Sequence, residues 1–241
     1  MQNEILLIIS LGLSFSSVLV FHRIFGKIGL YVWIAVCALL ANIEVTVLVH
    51  AFGMDQTLGN VVFASSFLAT DILSELYGKK SADKGVLTGI ATTFIFIIFS
   101  FMWVRYIPAE NDFAMPAIKT IFSNTPRILI ASLLAYAISE FFDVHMYHAW
   151  WSLTERRTGS SAGLLWLRNN GSTLLSQLVN IVLFNFGAFL GVYPLKQLIP
   201  LTLSCYIIYI FTSLLDTPFI YLARKLHTQK IAENQGEKRN T

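Results

Sequence analysis

Two carboxylates, Asp71 and Glu75, sit in a stretch otherwise apolar enough to span a bilayer: Phe67-Leu-Ala-Thr70-Asp71-Ile-Leu-Ser74-Glu75-Leu-Tyr77-Gly78. A charge at membrane depth costs about 2.5–3.5 kcal/mol on insertion scales, so it turns inward to a partner, a water-filled cavity or a substrate. On a helix the two share a face, with Phe67 and Gly78 on the same stripe. One wall of a polar pocket is the natural reading. Tyr136, Glu140, Asp143 and Tyr147 form a second stripe, and Asn170, Thr173, Gln177, Asn180 and Phe184 a third. Carboxylates only accept hydrogen bonds, whereas amides donate and accept. Such walls suit a planar heterocycle, stacked on aromatic faces and read along its edge by carboxylates and amides.

Each group also has a structural use. Asp71 and Glu75 could pair with Arg168 or another helix, Gln177 and Asn180 could hold helices together, and Asp216 could satisfy backbone freed by Pro218. Glu44 is read as structurally partnered or facing a vestibule. His145 and His148 read as interfacial and not as metal ligands, and Trp103, Trp150 and Trp151 as interface anchors. No metal or cofactor is expected. The sequence carries no His-Glu-x-x-His motif, no Gly-x-x-x-x-Gly-Lys loop and no Gly-x-Ser-x-Gly elbow.

The surrounding elements follow from composition. With 55% hydrophobic and 13% charged residues and a mean hydropathy of +0.64, the 241-residue chain is too apolar for a soluble globule. Apolar runs of about 20 residues indicate an all-α integral membrane protein. Seven spans are drawn at 4–21, 28–52, 58–77, 84–107, 126–147, 171–193 and 199–223, with six as the alternative, making 1–226 the transmembrane domain. The segment Met1-Gln-Asn-Glu4 is read as the start of the first span. Residues 227–241 read as a polar, disordered cytosolic tail, and 108–125 as a loop or short cap. Of the seventeen basic residues, thirteen fall in the joints after the first, third, fifth and last spans. Arg105, Lys119, Arg127 and Lys196 fall on the other side. That bias predicts an outside N-terminus and a cytosolic C-terminus, and reads the charge as topology control instead of nucleic-acid binding. On these spans Asp71, Gln177, Glu140 and Asp216 lie about 9–10 Å from the cytosolic edge, in one layer. Cys37 and Cys205, in separate spans, read as packing residues, and the small residues of Ser10 to Ser17 offer a homodimer face.

The Phe67–Gly78 stretch, Phe142-Asp143-Val-His145, and Leu165-Trp166-Leu-Arg168-Asn-Asn170-Gly-Ser172-Thr173-Leu-Leu-Ser-Gln177 together resemble the queuosine precursor transporter family, also called the vitamin uptake transporter family, over residues 30–225. The resemblance implies import of a 7-deazaguanine (the 7-cyano or 7-aminomethyl base, or queuine) across the bacterial inner membrane. Its matching positions are Thr70, Asp71, Glu75, Asp143, His145, Arg168, Asn170, Ser172, Thr173 and Gln177. Asn180 stands where the family usually has Asp, which weakens any cation or proton role there, and a seventh span at the N-terminus is a second departure. For this ligand Asp71 or Glu75 would read the guanine-like edge, and Gln177, Asn180 and Asn170 would surround the carbonyl and five-membered ring, with Arg168 a further donor to the carbonyl. Phe67 or Trp166 would stack, and Glu140 and Asp143 would complete the polar wall. The alternatives are a membrane subunit dependent on a separate ATPase, an intramembrane enzyme using the paired carboxylates, and a scaffold.

Overall fold

A computed structural model describes residues 2–123, 126–159 and 163–239. Its helices are α1 (Gln2–Phe25), α2 (Lys27–Glu44), α3 (Gly59–Tyr77), α4 (Lys79–Trp103), α5 (Met115–Ser123), α6 (Pro126–Thr158), α7 (Leu165–Phe189) and α8 (Leu195–Arg239). Strands β1 (Leu48–Ala51) and β2 (Met54–Thr57) form one antiparallel hairpin between α2 and α3. Six helices, α1, α2, α4, α6, α7 and α8, are long and apolar enough to cross a membrane. Large apolar side chains such as Ile9, Leu13, Phe94, Leu203 and Phe211 face outward, while Asp71, Glu140, Asp143, Gln177 and Asp216 are buried. This inversion of the soluble pattern makes the chain a multi-pass membrane protein.

The helix left out, α3, is polar because it is central. Fifteen of its nineteen residues are buried, so its Ser, Thr, Asn and Asp side chains meet other helices and not lipid. The packing core spreads outward from it through Leu68, Ile72 and Leu73 to Phe15, Ile34, Val86 and Val144. Cys37 belongs to this core, its thiol near Ser65 Oγ (3.2 Å), and Cys205 is buried and free elsewhere.

Several boundaries differ from the sequence reading. The second span ends at Glu44, because 48–57 pairs as a hairpin whose two-residue turn, Phe52-Gly53, has φ of 54° and 72°. Positive φ at both positions matches the right-handed twist of the strands, and Gly53 takes it without strain. Asn3 Nδ2 donates to the His50 carbonyl (3.0 Å) and the Phe52 amide to Glu4 Oε1 (3.3 Å), which ties the start of α1 to the hairpin. Helix α5 occupies the second half of the 108–125 joint, and its Phe122 packs edge-on against Phe96 and Trp103. Trp103 is therefore part of an aromatic cluster. The expected irregular tail is helical from 227 to Arg239, since nothing between Pro218 and Gly236 breaks the helix. Met1 and the last two tail residues lie outside the described residues.

Gly89 of α4 lets Tyr136 of α6 lie directly against it, because a Cβ there would overlap the Tyr136 hydroxyl and ring. The Gly89→Val protein is expected to lose about 1–3 kcal/mol from overpacking, seen as a lower melting temperature in detergent. An unchanged melting temperature would show that Tyr136 moves freely.

Candidate functional site

The polar stripes of α3, α6 and α7 face one another and form a ladder, each rung about one helical turn from the next. At its first rung, Arg168 Nη2 reaches both Glu75 oxygens at 2.7 Å and Nε reaches Oε2 at 3.0 Å. Tyr147 donates to the same carboxylate (2.8 Å), and Arg224 of α8 lies 3.6 Å from Oε1. Arg168 also donates to the Gly163 carbonyl (2.9 Å) and stacks 4.3 Å over the Trp151 ring. Groups from α6, α7 and α8 converge on this one carboxylate of α3, which leaves it no free edge.

The second rung joins Asp71 to Asp143. Thr173 donates to Asp71 Oδ2 (3.0 Å) and Ser176 to Asp143 Oδ1 (2.7 Å). The two carboxyls adjoin each other. Apart from the facing carboxyl, neither remaining oxygen, Asp71 Oδ1 or Asp143 Oδ2, has a hydrogen-bond partner among the described residues, although both residues are fully buried. On the third rung Ser66 and Thr70 donate to the two oxygens of Glu140 (2.8 and 3.0 Å), and above it Ser139 donates to Asn180 Oδ1 (3.2 Å). Gln177 lies between these levels, fully buried, with both amide atoms unpartnered among the described residues.

A carboxylate oxygen or amide left dry and unpaired costs about 1–3 kcal/mol. Three such groups from three helices in one seam are therefore poor glue between helices. At the Glu75 end the seam is crossed by the ion pair with Arg168. Toward the hairpin end a cleft of about 30 Å³ is lined by residues including Asn60, Phe63, Asn180 and Tyr209. That holds roughly one water, far less than a bicyclic molecule needs.

The polar groups thus form successive rungs where one layer was expected. Gln177 lies about 18 Å from the start of α7, because that helix begins at Leu165 and not at residue 171. Asp216 pairs with Asn169 (2.7 Å) on the α7–α8 seam, as does Asn170 with Thr217 and Ser213 (2.7 and 3.2 Å). Asn170 is therefore engaged between helices. Trp166 is half exposed, so it cannot stack on a buried ligand; Phe67, fully buried and edge-on to Phe63, keeps its place beside the ladder. His145 is exposed and bonds within its own helix, and no metal-ligating cluster occurs among the described residues. Sequence reasoning missed Ser66, Ser139, Ser176 and Asn169, and read Trp151, whose ring lies against Arg168, as an interface anchor. Ser66 and Ser139 stand four and one residues from Thr70 and Glu140, a weak but readable signal of the same stripes.

The family described as "Putative vitamin uptake transporter" matches residues 57–223. A "Probable queuosine precursor transporter" of Bacillus subtilis (strain 168) is 40% identical over 212 residues, 88% of this chain and 90% of the relative. The chain belongs to the queuosine precursor transporter family. A "Queuosine precursor transporter" of Escherichia coli (strain K12) is 27% identical over 161 residues, 65% of this chain and 67% of that protein. No solved structure matches at a significant level. The stretch matched by the queuosine precursor transporter family runs from the end of β2 into α8, so it contains every rung of the ladder and leaves out α1 and α2.

Proposed function

We propose that this chain imports a 7-deazaguanine precursor of queuosine across the inner membrane of a bacterium, binding it between α3, α6 and α7. The orphaned atoms of Asp71, Asp143 and Gln177 carry this reading. A deazaguanine edge offers a ring N–H and an exocyclic amine, both donors, and a carbonyl acceptor. Asp71 Oδ1 and Asp143 Oδ2 accept the donors, the Gln177 amide reads the carbonyl, and Phe67 lies against the ring. Glu140 and Thr70 shape the adjoining rung, Asn180 borders the entry, and Glu75 with Arg168 closes the far end. In this reading α3 is a seventh crossing, and the N-terminus is outside and the C-terminus cytosolic, as the bias of basic residues toward the ends of alternate spans supports, Arg168 left out of the count. Exposed Gly12 and Ser16 of α1, one turn apart, suit packing by a second copy.

Uptake of labelled 7-cyano-7-deazaguanine and queuine tests the reading, in cells lacking their own synthesis and import and given this chain alone. Accumulation above the empty-vector control is expected. No accumulation of any base despite good membrane expression overturns it, in favour of a subunit that needs a separate ATPase.

A further inference from the structure

We infer that a second site, for a phosphate-bearing anion, lies where the ends of α1 and α3 meet the His227–Ile231 turn of α8, outside the ladder. A cavity of about 210 Å³ there is lined by His22, Arg23, Tyr77, His227 and Lys230, with Leu226 and Ile231 supplying its apolar part. Among the described residues, the polar side chains that line it are all cations or neutral donors.

The groups are held in place. The Tyr77 hydroxyl lies 3.1 Å from His22 Nε2 and 3.5 Å from His227 Nδ1, and the two imidazoles stack 5.8 Å apart. Lys27 lies over the Tyr77 ring (5.8 Å), and Lys230 Nζ donates to the Arg23 carbonyl (3.2 Å), bringing α8 across the α1–α2 elbow. Capping the last carbonyls of α1 accounts for that Lys230 bond. It does not account for His22, only 3% exposed, whose Nδ1 has no partner among the described residues. Nor does it explain why the basic groups of α1 and α8, some two hundred residues apart in sequence, share one cavity.

A phosphate answers both points. It offers several acceptor oxygens to donors arriving from three helices, and Arg with Lys is its usual clamp. Basic pockets between helices at a membrane edge take anionic lipid headgroups, and the same donors take a soluble phosphate. The shared chemistry is the phosphate oxygen set.

Two arms separate the sources. In the first, inorganic phosphate is titrated by calorimetry into the full chain in neutral detergent. In the second, the chain in nanodiscs of mixed phosphatidylcholine and phosphatidylglycerol is released and its retained lipid identified by native mass spectrometry. Each is run on wild type, on Arg23→Gln/Lys230→Gln and on Lys79→Gln/Lys80→Gln, which removes two basic residues outside the cavity. Phosphate affinity reduced about tenfold or more in the Arg23/Lys230 variant alone supports the site with a soluble occupant. Phosphatidylglycerol retention lost in that variant alone supports it with a lipid occupant. No selectivity for either probe, or equal losses in both variants, overturns it. Tyr77→Phe keeps the cations and fold but removes the central hydroxyl, and is expected to weaken whichever probe binds.

Discussion

Asp71→Asn is expected to lower uptake of 7-deazaguanine bases by about a hundredfold or more while the protein still folds. The variant keeps an acceptor for Thr173, and its new amide N–H₂ finds Asp143, so the fold loses nothing it needs. The ligand, however, presents two donors to what is now one acceptor and one donor. Each charge-assisted hydrogen bond is worth about 1.5–3 kcal/mol, and a buried donor left facing a donor costs more. The ligand-side control is an analogue lacking the exocyclic amine. Wild type is expected to discriminate strongly against it, and the variant much less, because the amine no longer has its partner. Normal uptake by Asp71→Asn, with expression matched on a membrane blot, would remove Asp71 from the recognition edge. Loss in Asp143→Asn alone would shift that edge by one helix.

How much of this was readable in the residues depends on the kind of signal. Asp71, Glu140, Asp143 and Gln177 stood out because a polar group in an apolar run has to be turned inward, and a helical stripe says which neighbours it keeps. Trp166 and Asn170 lie one and five residues from the start of the same helix, yet one faces outward and the other α8. Which face of a helix looks at which partner is decided by the whole bundle. The polar run Arg168-Asn-Asn reads equally as a joint or as helix interior, and the joint reading placed Gln177 too shallow. The hairpin was hidden for the opposite reason: Val47-Leu-Val-His-Ala-Phe continues the apolarity of α2, and only the Phe-Gly pair marks the turn. The occupancy of Glu75 by Arg168 joins residues 93 apart. Sequence offered that pairing as one use of Glu75 among several, and only packing chose it.

That pair carries the largest expected effect on stability. Arg168 is wholly buried, and its guanidinium holds Glu75, the Gly163 carbonyl and the Trp151 face at once. Removing one member leaves the other charge dry, which costs about 3–5 kcal/mol, whereas removing both can be nearly neutral. Glu75→Gln and Arg168→Met are each expected to lower the free energy of unfolding, from denaturant titration in detergent, by that amount, and the Glu75→Gln/Arg168→Met double variant to recover most of it. Arg168→Lys keeps the charge but not the planar fork, and is expected to fall between. Single variants as stable as wild type would show that the pair does not hold the helices together. The double variant also separates structure from transport. If the pair is the closure at the Arg168 end of the ladder, a stable protein without it should take up base faster at low concentration but retain it poorly once external base is removed. Retention equal to wild type would place the closure elsewhere, on the Asp71–Asp143 rung itself.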